Sequence, residues 1–318
     1  MKPQTILITG ALGFIGYHTS QELIKKYKLV IGIDNIINNY SQKLKKDNLK
    51  ILSQYPNFEF KKIDILDYLE LKKVFLKYKP QVVIHLAALT GVRNSITNPK
   101  LYEYVNIYGT KNVYKLSIEN HINKFIFSSS SSVYGNISKI PFKENGKLHP
   151  NSPYAKSKLT AEKIIIKLYK KHKLPTVILR FFSVYGPHGR PDMAPYIFTK
   201  AAYSNKPVIK YGPGNSARDF TYIDDIVQAI IKCIEKPLTF NIFNIGNSYP
   251  ITLNKLILYI EKYTKNKLII INKPIISAES KITYANIDKA KKIISWKPKT
   301  KFSQGIKKFV NWYKNNRI

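Results

Sequence analysis

The chain has 318 residues, enough for one large α/β unit or two domains, and carries a formal net charge of +34. Its single cysteine, Cys233, excludes an internal disulfide framework, sits in a helical apolar pattern as a small core residue, and fits a reducing cytoplasm. No apolar stretch reaches membrane-spanning length, so no membrane insertion is expected, and with a strand starting a few residues after Met1 no signal peptide is expected either.

Charge of this size would suit a nucleic acid or an anionic membrane. The lysines, however, gather where amphipathic helices over residues 66–79 and 160–173 turn outward, and they are scarce in the motif segments. Abundant Ile, Asn, Tyr and Lys together are what an AT-rich coding sequence produces. No specific nucleic-acid partner is expected, and the field is left with a general attraction for anions that is stronger at low salt.

In chain order, residues 4–9 form a short apolar run suited to a buried parallel strand. It leads into Gly10-Ala11-Leu12-Gly13-Phe14-Ile15-Gly16 and then a helical segment over 18–27. Glycines between strand and helix let backbone N–H groups approach a pyrophosphate, and the helix N-terminus adds its dipole. The spacing G-x-x-G-x-x-G is one residue looser than the dehydrogenase pattern. A second apolar run, 29–33, ends in Asp34, whose carboxylate can accept from both adenosine ribose hydroxyls and would repel a 2′-phosphate. NAD is therefore favoured over NADP.

Further strand-like runs over 58–63, 81–86, 124–128, 176–181 and 242–245 alternate with helical patterns. That alternation predicts an α/β, Rossmann-like doubly wound parallel sheet with helices on both faces. A run of five serines, Ser128 to Ser132, precedes Tyr154 and Lys158, an i, i+4 pair that projects from one helix face. An ammonium beside the phenol would lower a pKa that starts near ~10. Tyr154 could then take a proton from a substrate hydroxyl near neutral pH. Past about residue 184, Pro- and Gly-punctuated segments suggest a smaller, loop-rich lobe over the carboxyl ends of the strands. No internal repeat or low-complexity tract is evident.

Thr9 to Gly16, His85-Leu86-Ala87-Ala88, Ser128 to Gly135, Tyr154-x-x-x-Lys158 and Arg218-Asp219-Phe220 together resemble an extended short-chain dehydrogenase/reductase acting on nucleotide sugars, over essentially the whole chain. Within that group the runs Gly91-Val92-Arg93-Asn94-Ser95-Ile96 and Arg180 to Pro195 are most similar to the UDP-glucuronate 4-epimerases. The resemblance implies a catalytic set of Ser130, Tyr154 and Lys158. Tyr154 would take the C4 hydroxyl proton while NAD takes the hydride, the 4-keto sugar would turn over, and hydride would return to its other face. NAD would be regenerated and stay bound. Gly10, Gly13, Phe14, Ile15, Gly16, Asp34, Asn35, Asp64, Ile65, Leu86, Ala87, Ala88, Asn106, Ser128 and Phe181 are the implied cofactor contacts, alongside Tyr154 and Lys158. Arg218 would meet the UDP phosphates, Arg93 the diphosphate or the uronate, Ala194, Pro195 and Phe198 the uracil, and Glu279 the uridine ribose. A homodimer packed through helices near 101–118 and 153–169 is also implied. The same resemblance divides the chain into an NAD-binding domain, residues 1–183 with about 221–250, and a nucleotide-sugar lobe, 184–220 with 251–318.

The neighbouring chemistries differ at two positions. Related decarboxylases carry Glu before the Val-Tyr-Gly and 4,6-dehydratases an Asp-Glu pair; here Ser131 and Ser132 stand there. Hydroxyls place no acid to drive elimination and can hold a uronate carboxylate. Ser131, Ser132, Ser183 and Arg190 form the expected cradle, the arginine fork matching a carboxylate. His188 stands where relatives usually have Trp, Ser183 where they have Thr, and Ile276-Ser277-Ala278-Glu279 replaces Gln-Pro-Gly-Asp. The alternatives are a UDP-glucose or UDP-N-acetylhexosamine 4-epimerase, a UDP-glucuronate decarboxylase, and a noncatalytic nucleotide-sugar binder.

Overall fold

The structure is a computed structural model that describes residues 4–37, 42–136, 139–274 and 281–317. Its strands are β1 (Thr5–Thr9), β2 (Leu29–Asp34), β3 (Phe58–Lys62), β4 (Val82–His85), β5 (Lys124–Ser130), β6 (Thr176–Phe181), β7 (Val184–Tyr185), β8 (Val208–Tyr211), β9 (Ala217–Asp219), β10 (Thr221–Tyr222), β11 (Phe240–Ile245), β12 (Pro250–Thr252) and β13 (Ile270–Lys273). Seven of them form one parallel sheet in the order β3-β2-β1-β4-β5-β6-β11. The rest pair as β7 with β10, β8 with β13 and β9 with β12.

The helices are α1 (Phe14–Ile24), α2 (Gln42–Leu52), α3 (Tyr68–Tyr78), α4 (Val92–Thr97), α5 (Pro99–Glu103), α6 (Thr110–Glu119), α7 (Pro153–His172), α8 (Ala194–Ser204), α9 (Ile223–Glu235), α10 (Leu253–Thr264), α11 (Asp288–Ile294) and α12 (Phe302–Arg317). A π-helical turn, Tyr104–Gly109, joins α5 to α6. None of the described helices is long and apolar enough to cross a membrane.

The sheet is covered on both faces, which is why its strands read as continuous apolar runs rather than alternating ones. Along β1, Ile6 and Ile8 pack into one core and Leu7 into the other, all fully buried. Each such side chain contributes roughly 1.5–3 kcal/mol through burial. The strand order reverses between β1 and β4, so their carboxyl ends part and leave a crevice. The glycine turn, the serine run and Tyr154 all border it.

Several expected boundaries move, two of them at the crevice. The helix expected over 18–27 begins at Phe14 and ends at Ile24, because Gly16 lies within the helix, packed on Gly10. The strand expected over 124–128 runs on to Ser130, since Ser128, Ser129 and Ser130 continue the ladder with β6. Serine has little strand preference, and here the neighbouring strand decides.

Candidate active site

At the end of β1 the chain turns at Gly10, whose φ of +70° favours glycine. Gly13 N donates to Gly10 O at 3.0 Å and closes the turn. A Cβ on Gly10 would lie 2.8 Å from Ala87 N, and one on Gly16 2.0 Å from Gly10 O. The turn is therefore pressed against the end of β4 and against its own helix. The N-cap of α1, Gly13, gives no side-chain hydrogen bond, so the first N–H groups are left for an anion. A dinucleotide pyrophosphate fits this arrangement.

Asp34, 5% exposed, ends β2. One carboxylate oxygen accepts from Ile36 N at 2.8 Å and from Lys45 Nζ at 2.9 Å; the other accepts from Leu12 N at 3.3 Å. Lys45 was not anticipated from the sequence, because nothing in α2 marks one lysine among several as inward. Its charge weakens the argument that Asp34 repels a 2′-phosphate, while leaving the carboxylate able to accept from ribose hydroxyls. Asn35 Nδ2 donates to Asp64 at 2.8 Å, so Asp64 borders the pocket through Asn35 rather than lining it. Asn106 also stands back from the cleft. It is buried in the π-helical turn, accepts from Leu89 N at 2.8 Å, and donates to Leu89 O and Ser157 Oγ at 3.0 and 2.9 Å. It thus fastens the loop after β4 to α7. π-turns of this kind recur where a helix serves a site.

Helix capping places the Ser-Tyr-Lys set. Ser152 accepts from Ala155 N at 3.1 Å and Pro153 occupies the first turn, which places Tyr154 at the start of α7 with Lys158 one turn on. Ser130, at the end of β5, hydrogen-bonds with Tyr154. Lys158 Nζ donates to Ser128 O at 2.6 Å and lies 4.8 Å from the centre of the Phe127 ring. Burial pushes the Tyr154 phenol up, against the pull of Ser130 and the positive Arg190. Burial also pushes Lys158 down to about 7, with Glu162 opposing. The expected ammonium-to-phenol contact is thus replaced by an ammonium on a backbone carbonyl, and the phenol lies above its ordinary range rather than below it. A desolvated cation takes the nearest strong acceptor, and here β5 supplies it.

These groups line one cleft of about 760 Å³, within the range of ligand sites. On the cofactor side it is bordered by Gly10, Gly13, Phe14, Ile15, Gly16, Asp34, Asn35, Ile65, Leu86, Ala87, Ala88, Ser128 and Phe181. On the other side lie Ser131, Ser132, Ser183, Arg93, Arg190, Ala194, Phe198 and Arg218. Pro195 is buried in the first turn of α8 and does not line it, and Glu279 lies outside the described residues. Arg190 holds Asp192 with both arms of its fork, Nε at 3.0 Å, so a substrate carboxylate would share the guanidinium with that aspartate. Arg93 stacks over Tyr211 with its guanidinium carbon 5.1 Å from the ring centre. Tyr211 and Asp192 were missed from the sequence; Asp192 stands inside the recognised run, two residues past Arg190. His188, the departure from the usual Trp, faces away from the cleft. It packs on Tyr17 and Trp312 with centroids 4.5 and 5.1 Å apart, and its Nδ1 donates to Asn48 Oδ1 at 2.8 Å, since the Asn48 amide donates to Leu12 O.

Comparison with known proteins agrees with this geometry. Residues 7–309 match the GDP-mannose 4,6 dehydratase family. A UDP-glucuronate 4-epimerase of Thermodesulfobacterium geofontis is 40% identical over 98% of this chain and 96% of its own. The solved UDP-glucuronic acid 4-epimerase of Bacillus cereus, in complex with UDP-glucuronic acid and NAD, superposes with a TM-score of 0.92 at 34% identity, covering 98% of this chain and 99% of that one. A Thermotoga maritima UDP-glucose 4-epimerase, solved with UDP-glucose, gives 0.91 at 30%, over 98% of this chain and 99% of that one. Matched by the family over residues 7–309, and sharing its fold and up to 40% of its residues with these relatives over nearly their whole lengths, the chain belongs to the GDP-mannose 4,6 dehydratase family of NAD-dependent epimerases and dehydratases.

Proposed function

We propose that the protein is an NAD-dependent 4-epimerase that interconverts UDP-glucuronate and UDP-galacturonate. The observation that carries this reading is the make-up of the cleft around Tyr154. Ser130 hydrogen-bonds with the phenol, Ser131, Ser132 and Ser183 line the same cleft, and Arg190 lies close enough to act on the phenol. Among the described lining residues the carboxylates are Asp34 and Asp192, each paired with a cation. No acid is thus placed to drive elimination or decarboxylation, which distinguishes the site from dehydratases and decarboxylases.

In this reading the glycine turn and α1 hold the pyrophosphate of NAD, and Asp34 and Asn35 the adenosine end. The bound cofactor supplies a hydride acceptor and donor at C4 of the sugar. Tyr154 takes the C4 hydroxyl proton and later returns it, with Ser130 orienting the same oxygen and Lys158 adding positive charge beneath it. Ser131, Ser132, Ser183 and Arg190 hold the uronate carboxylate, and Arg218 and Arg93 the diphosphate. Ala194 and Phe198 border the base. The division into a cofactor domain and a nucleotide-sugar lobe, a homodimer and a cytoplasmic setting belong to the same proposal. Leu101, Tyr104 and Tyr108, exposed on α5 and the π-turn, support the packing face of that dimer.

The test is product analysis after incubation with UDP-glucuronate and, separately, UDP-glucose, with no NAD added. UDP-galacturonate from the first is the expected result. UDP-galactose from the second with no change in the first would give the neutral-hexose reading instead.

A further inference from the structure

Behind the Ser-Tyr-Lys set lies a buried ionic layer that the proposed chemistry leaves without a task. Glu162 follows Lys158 by one turn of α7, so Tyr154, Lys158 and Glu162 fall at i, i+4 and i+8 on one helix face. Glu162 is 1% exposed. Its Oε1 accepts from Ser129 Oγ at 2.5 Å and from Arg180 Nε at 3.0 Å, and its Oε2 from Arg180 Nη2 at 2.8 Å. Arg180, 2% exposed on β6, also donates to Tyr134 OH at 2.9 Å and to Glu144 O at 3.1 Å. Ser129 lies between Ser128, whose carbonyl holds Lys158, and Ser130, which meets Tyr154.

We propose that Glu162 is a positioning residue for the reaction: clamped by Arg180 and Ser129, it supplies the fixed buried negative charge that keeps Lys158 an ammonium beneath Tyr154. A charged pair this deep is costly unless each group is fully hydrogen-bonded, and removing one member leaves the other uncompensated. Here both carboxylate oxygens of Glu162 are held, by Arg180 and Ser129, one helical turn beyond Lys158.

Other ionisable groups around Lys158 give it no help. His85 on β4 is fully buried and held between the Thr9 and Thr110 hydroxyls at 2.6 and 2.9 Å; burial keeps it neutral, down to about 3. On β5 the neighbours are the Phe127 ring and the Ser128 carbonyl. On α7 the remaining titratable neighbour is Tyr154, and Arg180 on β6 faces Glu162. Burial drives Lys158 toward neutrality, and the charge of Glu162 opposes it. An activity that needs protonated Lys158 is lost as pH rises through the Lys158 pKa. Taking away the negative charge lowers that pKa and brings the loss to lower pH.

This inference rests on the epimerase reading, and the test separates the two. Glu162→Gln keeps the size of the side chain and one accepting oxygen without its charge, at the cost of one hydrogen bond from Arg180. The pH profile of kcat for UDP-glucuronate epimerisation is measured for it and for the unaltered protein, together with bound NAD and Tm. The alkaline limb of E162Q should fall about one pH unit earlier, so that on that limb its kcat is about tenfold lower relative to the unaltered protein, while the two converge on the acid side. A uniformly reduced kcat with an unmoved limb would mean a purely structural Glu162 and would overturn the proposal. Absence of epimerisation by the unaltered protein would instead overturn the function. If E162Q folds without turnover, competitive acetylation of Lys158, read by peptide mass spectrometry against pH, replaces the rate: a lower midpoint supports the proposal, an equal or higher one overturns it. If E162Q does not fold, Glu162→Asp, which draws the charge back on a shorter arm, should move the limb in the same direction by less than tenfold; an unmoved limb overturns it.

Discussion

Tyr154 owes its place to three neighbours that are ordinary in sequence terms: a capping serine, a proline in the first turn, and the end of a strand carrying Ser130. Because burial raises its pKa, the proposed proton abstraction depends on the charges and hydrogen bonds gathered around the phenol. Tyr154→Phe removes the acid–base group and little else, so turnover should fall by about 10³-fold or more while bound NAD and Tm stay unchanged. Near-normal turnover in that variant would remove Tyr154 from the chemistry. The places of single residues were legible where spacing carries them, as with Gly10, Gly16, Tyr154 and Lys158. Lys45, Glu162 and Tyr211 were not, because a lysine, a glutamate or a tyrosine in a helix or edge strand has no local mark of facing inward. Their roles depend on which strand they meet across the fold.

At the scale of elements, the proposed specificity rests most on the loop from β7 to α8. It delivers Arg190 to the cleft, and the Arg190–Asp192 pair holds the guanidinium in position before a substrate arrives. A neutral hexose gives that fork no carboxylate. Arg190→Ala should therefore lower kcat/KM for UDP-glucuronate by roughly 10–100-fold, the value of a charge-assisted hydrogen bond, and change UDP-glucose turnover much less. Equal losses on both substrates would take Arg190 out of the cradle, and appearance of a UDP-pentose would show that the carboxylate had been left free to depart. The parallel strands were readable because both faces are buried and the apolar runs are continuous. The π-turn over Tyr104–Gly109 was not, since it follows from packing: a Cβ on Gly109 would lie 2.5 Å from Ile65 Cδ1. Nor was Lys124, which enters the core to donate to Cys233 O and Ile234 O at the end of α9, at 2.8 and 3.0 Å. An ammonium at a helix C-terminus is favourable there, but sequence gives no reason to send a lysine inward from a strand.

For the whole molecule, the net charge of +34 sits mostly on exposed lysines, whereas the titrations that govern acid stability are internal. Burial lowers His85 to about 3, His18 to about 4 and His188 to about 3, all below the ordinary 6.5. Each therefore binds a proton more readily when the chain is unfolded, and stability is lost as pH falls below about 6.5 toward those values. Asp219, raised to about 6 by burial, acts in the opposite sense and offsets one of the three. The balance is a loss approaching about 3 kcal/mol per pH unit in the acid range, from about 1.4 kcal/mol per group. Thermal unfolding followed from neutral pH downward should show Tm falling steadily below pH ~6.5; a flat or rising Tm would mean that these histidines are not buried as neutral rings. The fold class and the cleft positions on the glycine turn, the serine run and the start of α7 could be read in advance, because glycine turns, apolar runs and an i, i+4 pair are local. The buried charges could not, because their partners lie on distant strands.

The most direct test of the account follows the hydrogen at C4. UDP-glucuronate deuterated at C4 is incubated with the protein, without added NAD, and the product is resolved and analysed by mass and NMR. The account predicts UDP-galacturonate that keeps the label at C4, since the hydride leaves and returns within one closed site. Loss of the label to solvent, or UDP-pentose as the main product, would contradict it.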